Sequence, residues 1–349
     1  MIKIPVGILG ATGTVGQRFI QLLADHPWFE VTAVAASERS AGQRYESACH
    51  WLLPEPMPDQ VRDLLVQPPT PGLDCRIVFS SLPSKVAAQV EAPLAEAGYA
   101  VCSNASTHRM DPDVPLLIPE VNPDHTGLIE VQRRERGRRG LIVTSANCSS
   151  TQLVLSLKPL QDAFGVKRLY VTTMQAVSGA GYPGVASLDI LSNVVPYIGG
   201  EEPKLESEPQ KMLGRIKEGD IVPADFVSSA QCNRVPVRDG HLECVSIAFA
   251  SKPDVGQIVA ALESFRAPVE VADLPSTPEV PIVVRTEEDR PQPILDRDAG
   301  RGYAVSVGRI RPCALFDYKF VLLGHNTLRG AAGGAIHNAE LLVSQGWIE

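Results

Sequence analysis

The chain has 349 residues, 44% of them hydrophobic and 21% charged. At roughly 150 residues per domain it is long enough for about two domains with sizeable cores, and its composition excludes wholesale disorder, collagen and a disulfide scaffold. The net charge of −8, from 32 basic and 40 acidic residues, argues against a nucleic-acid binder, which needs a basic surplus. Seven cysteines are an odd count, and none are in Cys-x-x-Cys spacing. That pattern predicts reduced thiols rather than disulfides or a zinc site, and no metal is expected. No basic segment leads into an apolar stretch, and no apolar run approaches the ~18 residues of a membrane span. The expected compartment is the cytoplasm.

Ile4-Pro5-Val6-Gly7-Ile8-Leu9 reads as a buried strand. Gly10-Ala11-Thr12-Gly13-Thr14-Val15-Gly16 follows, and then Phe19, Ile20, Leu22 and Leu23 at helical spacing. Strand, glycine turn and helix together form the context of a dinucleotide site. Glycines let the backbone approach a pyrophosphate, and the helix start supplies free N–H groups and positive potential. The spacing is G-x-x-G-x-x-G. A second strand, Val31 to Ala36, ends in Ser37-Glu38-Arg39-Ser40, where such folds read the adenosine ribose. Glu38 suits the free 2′-hydroxyl of NAD, whereas Ser37, Arg39 and Ser40 suit the 2′-phosphate of NADP, and the balance leans to NADP. Arg76 to Phe79 is a strand ending in Ser80, Ser81 and Leu82. A helix over 86–97 and a strand over 99–102 come next. Strands alternating with helices predict an α/β fold, a Rossmann-type doubly wound parallel sheet with its ligand crevice at the carboxyl ends of the strands.

The arginine-rich run 132–140 reads as a solvated surface loop. Strand 141–144 leads through Ser145-Ala146-Asn147 into a helix that Cys148 opens. A thiol at a helix start feels the dipole, which predicts a lowered pKa and singles out Cys148 among the seven. Tyr170 to Ala176 is β-rich. Val235 to Ile247 reads as two strands about Asp239-Gly240, a hairpin in which His241 is either functional or a surface residue. Residues 266–300 read as irregular covering segments. A small-residue helix after Asn326-Thr327 is expected to return to the first unit. The expected units are 1–147 plus 327–349, for cofactor binding, and 148–326, a second α+β unit for catalysis and dimerisation.

At this point the residues resemble the aspartate-β-semialdehyde dehydrogenase family, and most closely its archaeal and fungal branch. The stretches that carry the likeness are 7–19, Pro119-Glu120-Val121-Asn122-Pro123, Asn147-Cys148-Ser149-Ser150-Thr151, 174–184, Asn233-Arg234-Val235-Pro236-Val237 and 326–332. The family reduces β-aspartyl phosphate to the semialdehyde with NADPH. The resemblance implies Cys148 as nucleophile, Gln175 as the residue orienting the acyl intermediate and His241 as acid/base. It implies Arg234 on the substrate carboxylate, Arg109 and Lys204 on the phosphate, and Glu201 and Asn147 in the substrate site. It also implies cofactor contacts from Gly10, Thr12, Gly13, Thr14, Val15, Ser37, Arg39, Ser40, Ser80, Ser81, Leu82, Ser178, Gly179, Asn326 and Thr327. The implied partners are the small substrate, phosphate and further copies of the chain, as a homodimer or homotetramer. Two other readings use the same residues differently. One is a related reductase of another acyl phosphate or an acyl-CoA such as malonyl-CoA. The other is a non-catalytic NADP-binding sensor, which has no need of Cys148, His241 and Arg234 together.

Overall fold

The computed structural model describes residues 3–348. Met1, Ile2 and Glu349, at the ends of the expected first unit, lie outside the described residues. The first sheet has seven strands: β1 (Ile4–Leu9), β2 (Phe29–Ala35), β3 (Val66–Gln67), β4 (Ile77–Ser80), β5 (Ala100–Ser103), β6 (Leu116–Leu117) and β7 (Leu141–Ser145). Their order is β3-β2-β1-β4-β5-β7-β6, and every pairing is parallel. β4, β5 and β7 are buried at every position, as expected of strands covered on both faces. The helices Thr14–Leu23 and Ser84–Glu96 supply covering layers.

The glycine turn is fixed by close approach. A Cβ at Gly16 would sit 2.3 Å from the carbonyl oxygen of Gly10, which itself has φ of +73°. Only glycine fits there.

Only residues 137–140 of the arginine-rich run form a loop. Residues Leu128–Arg136 form a helix whose Gln132 is buried and donates to the carbonyls of Asp113 and Ile142. Arg136 pairs with Asp113 and Asp111. The charges are spread along a helix whose inner face carries Leu128, Ile129 and Gln132, so the count of arginines concealed its periodicity.

The second sheet is mixed. Its strands are β8 (Val166–Gln175), β11 (Val227–Arg234), β12 (His241–Phe249), β13 (Ile282–Arg285), β14 (Val305–Pro312) and β15 (Tyr318–Gly324), in the order β11-β8-β12-β15-β14-β13. A short hairpin, β9 (Arg215–Lys217) with β10 (Asp220–Val222), stands apart. The expected hairpin about Asp239-Gly240 does not form. β11 and β12 lie on opposite sides of β8, with β11 parallel and β12 antiparallel to it. Residues 235–240 therefore cross the end of β8 rather than make a tight turn. Within 266–300, β13 joins the sheet beside β14, so that segment is only partly irregular.

Against the second sheet packs the helix Cys148–Phe164, buried along most of its length. Its Leu153, Leu155, Leu157 and Leu160 enter the second core, each worth roughly 1.5–3 kcal/mol of burial. The last helix, Gly333–Ser344, packs Ala335, Ile336, Ala339 and Leu342 into the first core, as the small-residue pattern predicts. Two buried polar groups tie this end down. Arg329 pairs with Glu120 and contacts His337 at 3.1 Å, and Glu340 meets His26 at 2.9 Å. No helix among the described residues is long and apolar enough to cross a membrane.

Candidate active site

The strand directions place the site. β4, β5 and β7 run parallel, and their carboxyl ends lead into Ser81-Leu82, Asn104 and Asn147-Cys148. From the second sheet, β8 and β11 finish together at the register pair Gln175 and Arg234. β12, running the other way, begins at the same end with His241. These strand-end residues line one cleft of about 570 Å³, which also receives Val15, Arg109, Ser178, Gly179, Glu201, Lys204, Asn326 and Thr327; His241 is the exception, fully buried behind Gly179. A cavity of about 380 Å³ at the amino ends of β4, β5 and β7, lined by Arg76, Arg133 and Trp347, has no comparable set. Ligands of parallel sheets bind at carboxyl ends.

Asn147 caps the Cys148 helix. Its Oδ1 accepts from the N–H groups of Ser149 and Ser150 at 2.9 and 3.2 Å, a cap worth about 1 kcal/mol. Its Nδ2 donates to Glu201 at 2.8 Å. Glu201 is a hub, also accepting from Lys204 Nζ at 2.7 Å and from Gln175 Nε2 at 3.4 Å. Burial works against its charge, but Lys204 and these donors outweigh it and hold the carboxyl below its usual range. Arg234 is buried and donates to the Ala176 carbonyl at 2.7 Å.

The thiol of Cys148 is not acidified. Burial, and then the Glu201 carboxylate, push it up to about 12, while Arg109, Arg234 and Lys204 pull it down and lose. The helix dipole expected to lower it acts at a position where desolvation dominates. Cys148 is nonetheless set firmly, because Gly330 packs on it. A Cβ at Gly330 would lie 2.7 Å from the Cys148 Cβ.

His241 is fully buried, which removes the surface alternative. Burial, Arg234 and His325 lower it to about 3, so it is neutral at pH 7. The Ala176 N–H donates to its Nδ1 at 3.0 Å. The neutral ring then carries its proton on Nε2, an assignment made from the hydrogen bond. That nitrogen has no partner and lies beside Gly179 of the cleft wall.

The glycine turn suits an anion. Gly13 opens the Thr14–Leu23 helix without a side-chain cap, leaving first-turn N–H groups free. Thr12, Gly13, Thr14 and Val15 line a cavity of about 350 Å³ with Ser81 and Tyr182. Asn326 Nδ2 donates to Ser178 Oγ at 2.8 Å, and its Oδ1 accepts from the Gly240 N–H, which joins three loops at the rim. Gly10 sits behind the turn. Ser80 is fully buried inside β4 and does not reach the cleft. Ser81, one residue past the strand and half-buried, lines the cleft instead. Ser37, Arg39 and Ser40 form the turn after β2, outside the lining of the cleft.

Residues 5–129 match the model described as semialdehyde dehydrogenase, NAD binding domain, and residues 157–329 match semialdehyde dehydrogenase, dimerisation domain. The chain is 53% identical to an aspartate-semialdehyde dehydrogenase of Archaeoglobus fulgidus, with 99% of each chain covered. The chain belongs to the aspartate-semialdehyde dehydrogenase family. The archaeal relative from Methanothermobacter thermautotrophicus is 54% identical over 97% of this chain and 98% of its own. A crystal structure of the Candida albicans enzyme with NADP superposes with a TM-score of 0.92 at 45% identity, covering 99% of this chain and 100% of the other. Within this dehydrogenase fold, four polar residues of the site region escaped the sequence reading. Glu208 and Lys211 extend the stripe Glu201-Lys204 at helical spacing, a signal that was present. Gln152 and Glu243 gave none, because their meeting depends on the helix crossing β12.

Proposed function

We propose that this chain reduces β-aspartyl phosphate to aspartate-β-semialdehyde with NADPH, through a thioester on Cys148. The observation that carries the reading is the lining of one cleft by a single cysteine, three cations (Arg109, Lys204, Arg234) and a buried acid, Glu201, next to an open glycine turn. The substrate carries an acyl phosphate at one end and an α-carboxylate and α-ammonium at the other, which needs separated cations and one acid. Arg234 takes the carboxylate as a planar fork. Glu201 faces the ammonium, and Arg109 and Lys204 take the phosphate.

The Cys148 thiol is protonated in the free chain and loses its proton to solvent before attack. Its sulfur then bonds to the acyl carbon, the carbon–oxygen bond to phosphate breaks, and inorganic phosphate leaves with the bonding pair. Gln175 and Asn147 hold the acyl group over the end of β8. Bound NADPH supplies the hydride that reduces the thioester. The unpartnered Nε2–H of His241 donates to the hemiacetal oxygen as negative charge develops there. Collapse re-forms the carbonyl and returns Cys148 as thiolate. We read Gly10, Thr12, Gly13, Thr14 and Val15 as the pyrophosphate cradle. Ser81, Leu82, Ser178, Gly179, Asn326 and Thr327 hold the nicotinamide side, and Ser37, Arg39 and Ser40 hold the 2′-phosphate. The units 1–147 plus 327–349 and 148–326 divide cofactor binding from catalysis.

We further infer a homodimer, alone or paired into a tetramer. The edge strand β11 exposes Val227, and the segment that bridges to its end through Val195 exposes Leu188, Leu191 and Tyr197. The seven free cysteines suit the reducing cytoplasm.

The test runs in reverse: NADP, phosphate and aspartate-β-semialdehyde, followed by absorbance of the reduced cofactor. Phosphate-dependent reduction supports the reading. Reduction that needs CoA and another aldehyde overturns it in favour of a thioester reductase, and cofactor binding without turnover overturns it in favour of a sensor.

A further inference from the structure

One buried carboxylate touches both halves of the chemistry without lining the cleft. Glu208 lies on the helix Glu202–Met212 and is only 2% exposed. Its Oε1 accepts from Arg109 Nη1 at 2.9 Å, and its Oε2 accepts from the backbone N–H of Asn147 at 2.7 Å. Asn147 is the residue that caps the Cys148 helix, so a single carboxylate spans from an anion-binding arginine to the backbone that sets the thiol. One turn further along, Lys211 Nζ donates to the carbonyl oxygens of Arg109, Asp111 and Val114 at 2.7, 2.8 and 2.9 Å. The segment that carries Arg109 is thus held to the same helix by its backbone as well as its side chain. Arg109 Nη2 is taken by the Asn104 carbonyl at 2.8 Å, and its buried Nε has no partner.

We propose that Glu208 is a positioning residue that couples anion binding at Arg109 to the placement of Cys148. The proposal rests on the reading of Arg109 as the phosphate-binding residue. Both oxygens of Glu208 accept, and both partners donate. An anion that draws Arg109 toward the cleft therefore pulls on the same carboxylate that holds the Asn147 amide. A glutamine in its place has one accepting oxygen and one NH₂, so one of the two donors must face another donor. The isosteric change keeps the volume and breaks the link.

The experiment is a double-mutant cycle of Glu208→Gln and Arg109→Ala, read in the reverse reaction as separate KM values for inorganic phosphate, semialdehyde and NADP, with wild type alongside. Phosphate dependence in wild type checks the underlying reading by itself. The expected result is a KM for phosphate raised about tenfold in Glu208→Gln, a KM for NADP within twofold of wild type, and no further rise in the phosphate KM when Glu208→Gln is added to Arg109→Ala. A second readout needs no turnover. Phosphate should slow alkylation of Cys148 in wild type and lose that effect in Glu208→Gln. Additive effects on the phosphate KM, equal rises in all three KM values, or retained phosphate protection would overturn the coupling. If Glu208→Gln does not fold, Glu208→Asp is read instead. It keeps the charge but is one methylene shorter and reaches only one partner at a time, so an intermediate rise in the phosphate KM is expected and an unchanged value contradicts the proposal.

Discussion

Cys148 and His241 both owe their protonation states to burial, in opposite senses. Because the thiol is pushed up to about 12, the alkylation rate of Cys148 in the free chain should rise roughly tenfold per pH unit between pH 6 and 9. A plateau near neutrality would show an acidified thiol instead. Cys148→Ser should bind cofactor and lose nearly all turnover. The two arginines should separate by substrate. Arg109→Ala should raise the KM for phosphate with a smaller effect on the semialdehyde, and Arg234→Lys should do the reverse, each by about 2 kcal/mol, or roughly thirtyfold. Steady-state kinetics in the reverse direction distinguishes them.

Glu243 offers a stability measurement at the same scale. It is fully buried, burial raises it to about 8, and Gln152 Nε2 donates to it at 2.6 Å. The folded form binds a proton that the unfolded form releases above its ordinary value of 4.5. This stabilisation is complete below pH 4.5 and drains away as pH rises through 8. Urea melts should show Glu243→Gln flattening that loss, and an unchanged pH slope would contradict the assignment. Cys148 was singled out by its place at a helix start after a strand, whereas Arg109 and Lys204, in a turn and inside a helix, carried no positional signal and came only with the family resemblance. The acidities were not legible in the sequence. The acidity of Cys148 depends on burial and then on the charge of Glu201, 53 positions away along the chain.

At the scale of elements, the glycine turn was the clearest signal, since a Cβ at Gly16 has no room beside the Gly10 carbonyl. Gly16→Ala should displace the turn and raise the KM for NADP at least tenfold, while a far-ultraviolet spectrum close to wild type confirms the fold. Strand pairing was harder to read. The Arg234 to His241 spacing looked like a hairpin because Asp-Gly favours a tight turn. The polar ends of β11 and β12 instead straddle β8, and a crossing of that kind needs partners that no local pattern reveals. The arginines of 132–140 misled for the opposite reason, since a helix with one buried face tolerates any number of charges on the other.

The whole molecule brings distant motifs together. Pro119-Glu120-Val121 and the 326–332 segment meet through the buried Glu120–Arg329 pair, which anchors the last helix behind the site rather than acting in it. Leu188, Leu191 and Tyr197 leave an exposed apolar surface beside β11. Leu191→Glu should shift the chain to a smaller species in sedimentation, and an unchanged species would place the subunit contact elsewhere. Catalysis in this chain turns on a thioester at Cys148. Wild-type protein mixed with β-aspartyl phosphate in the absence of reduced cofactor, quenched in acid and digested, should show by mass spectrometry one aspartyl group on the Cys148 peptide and none on the other six cysteines. An unmodified Cys148 peptide, or the acyl group on another residue, would contradict the account.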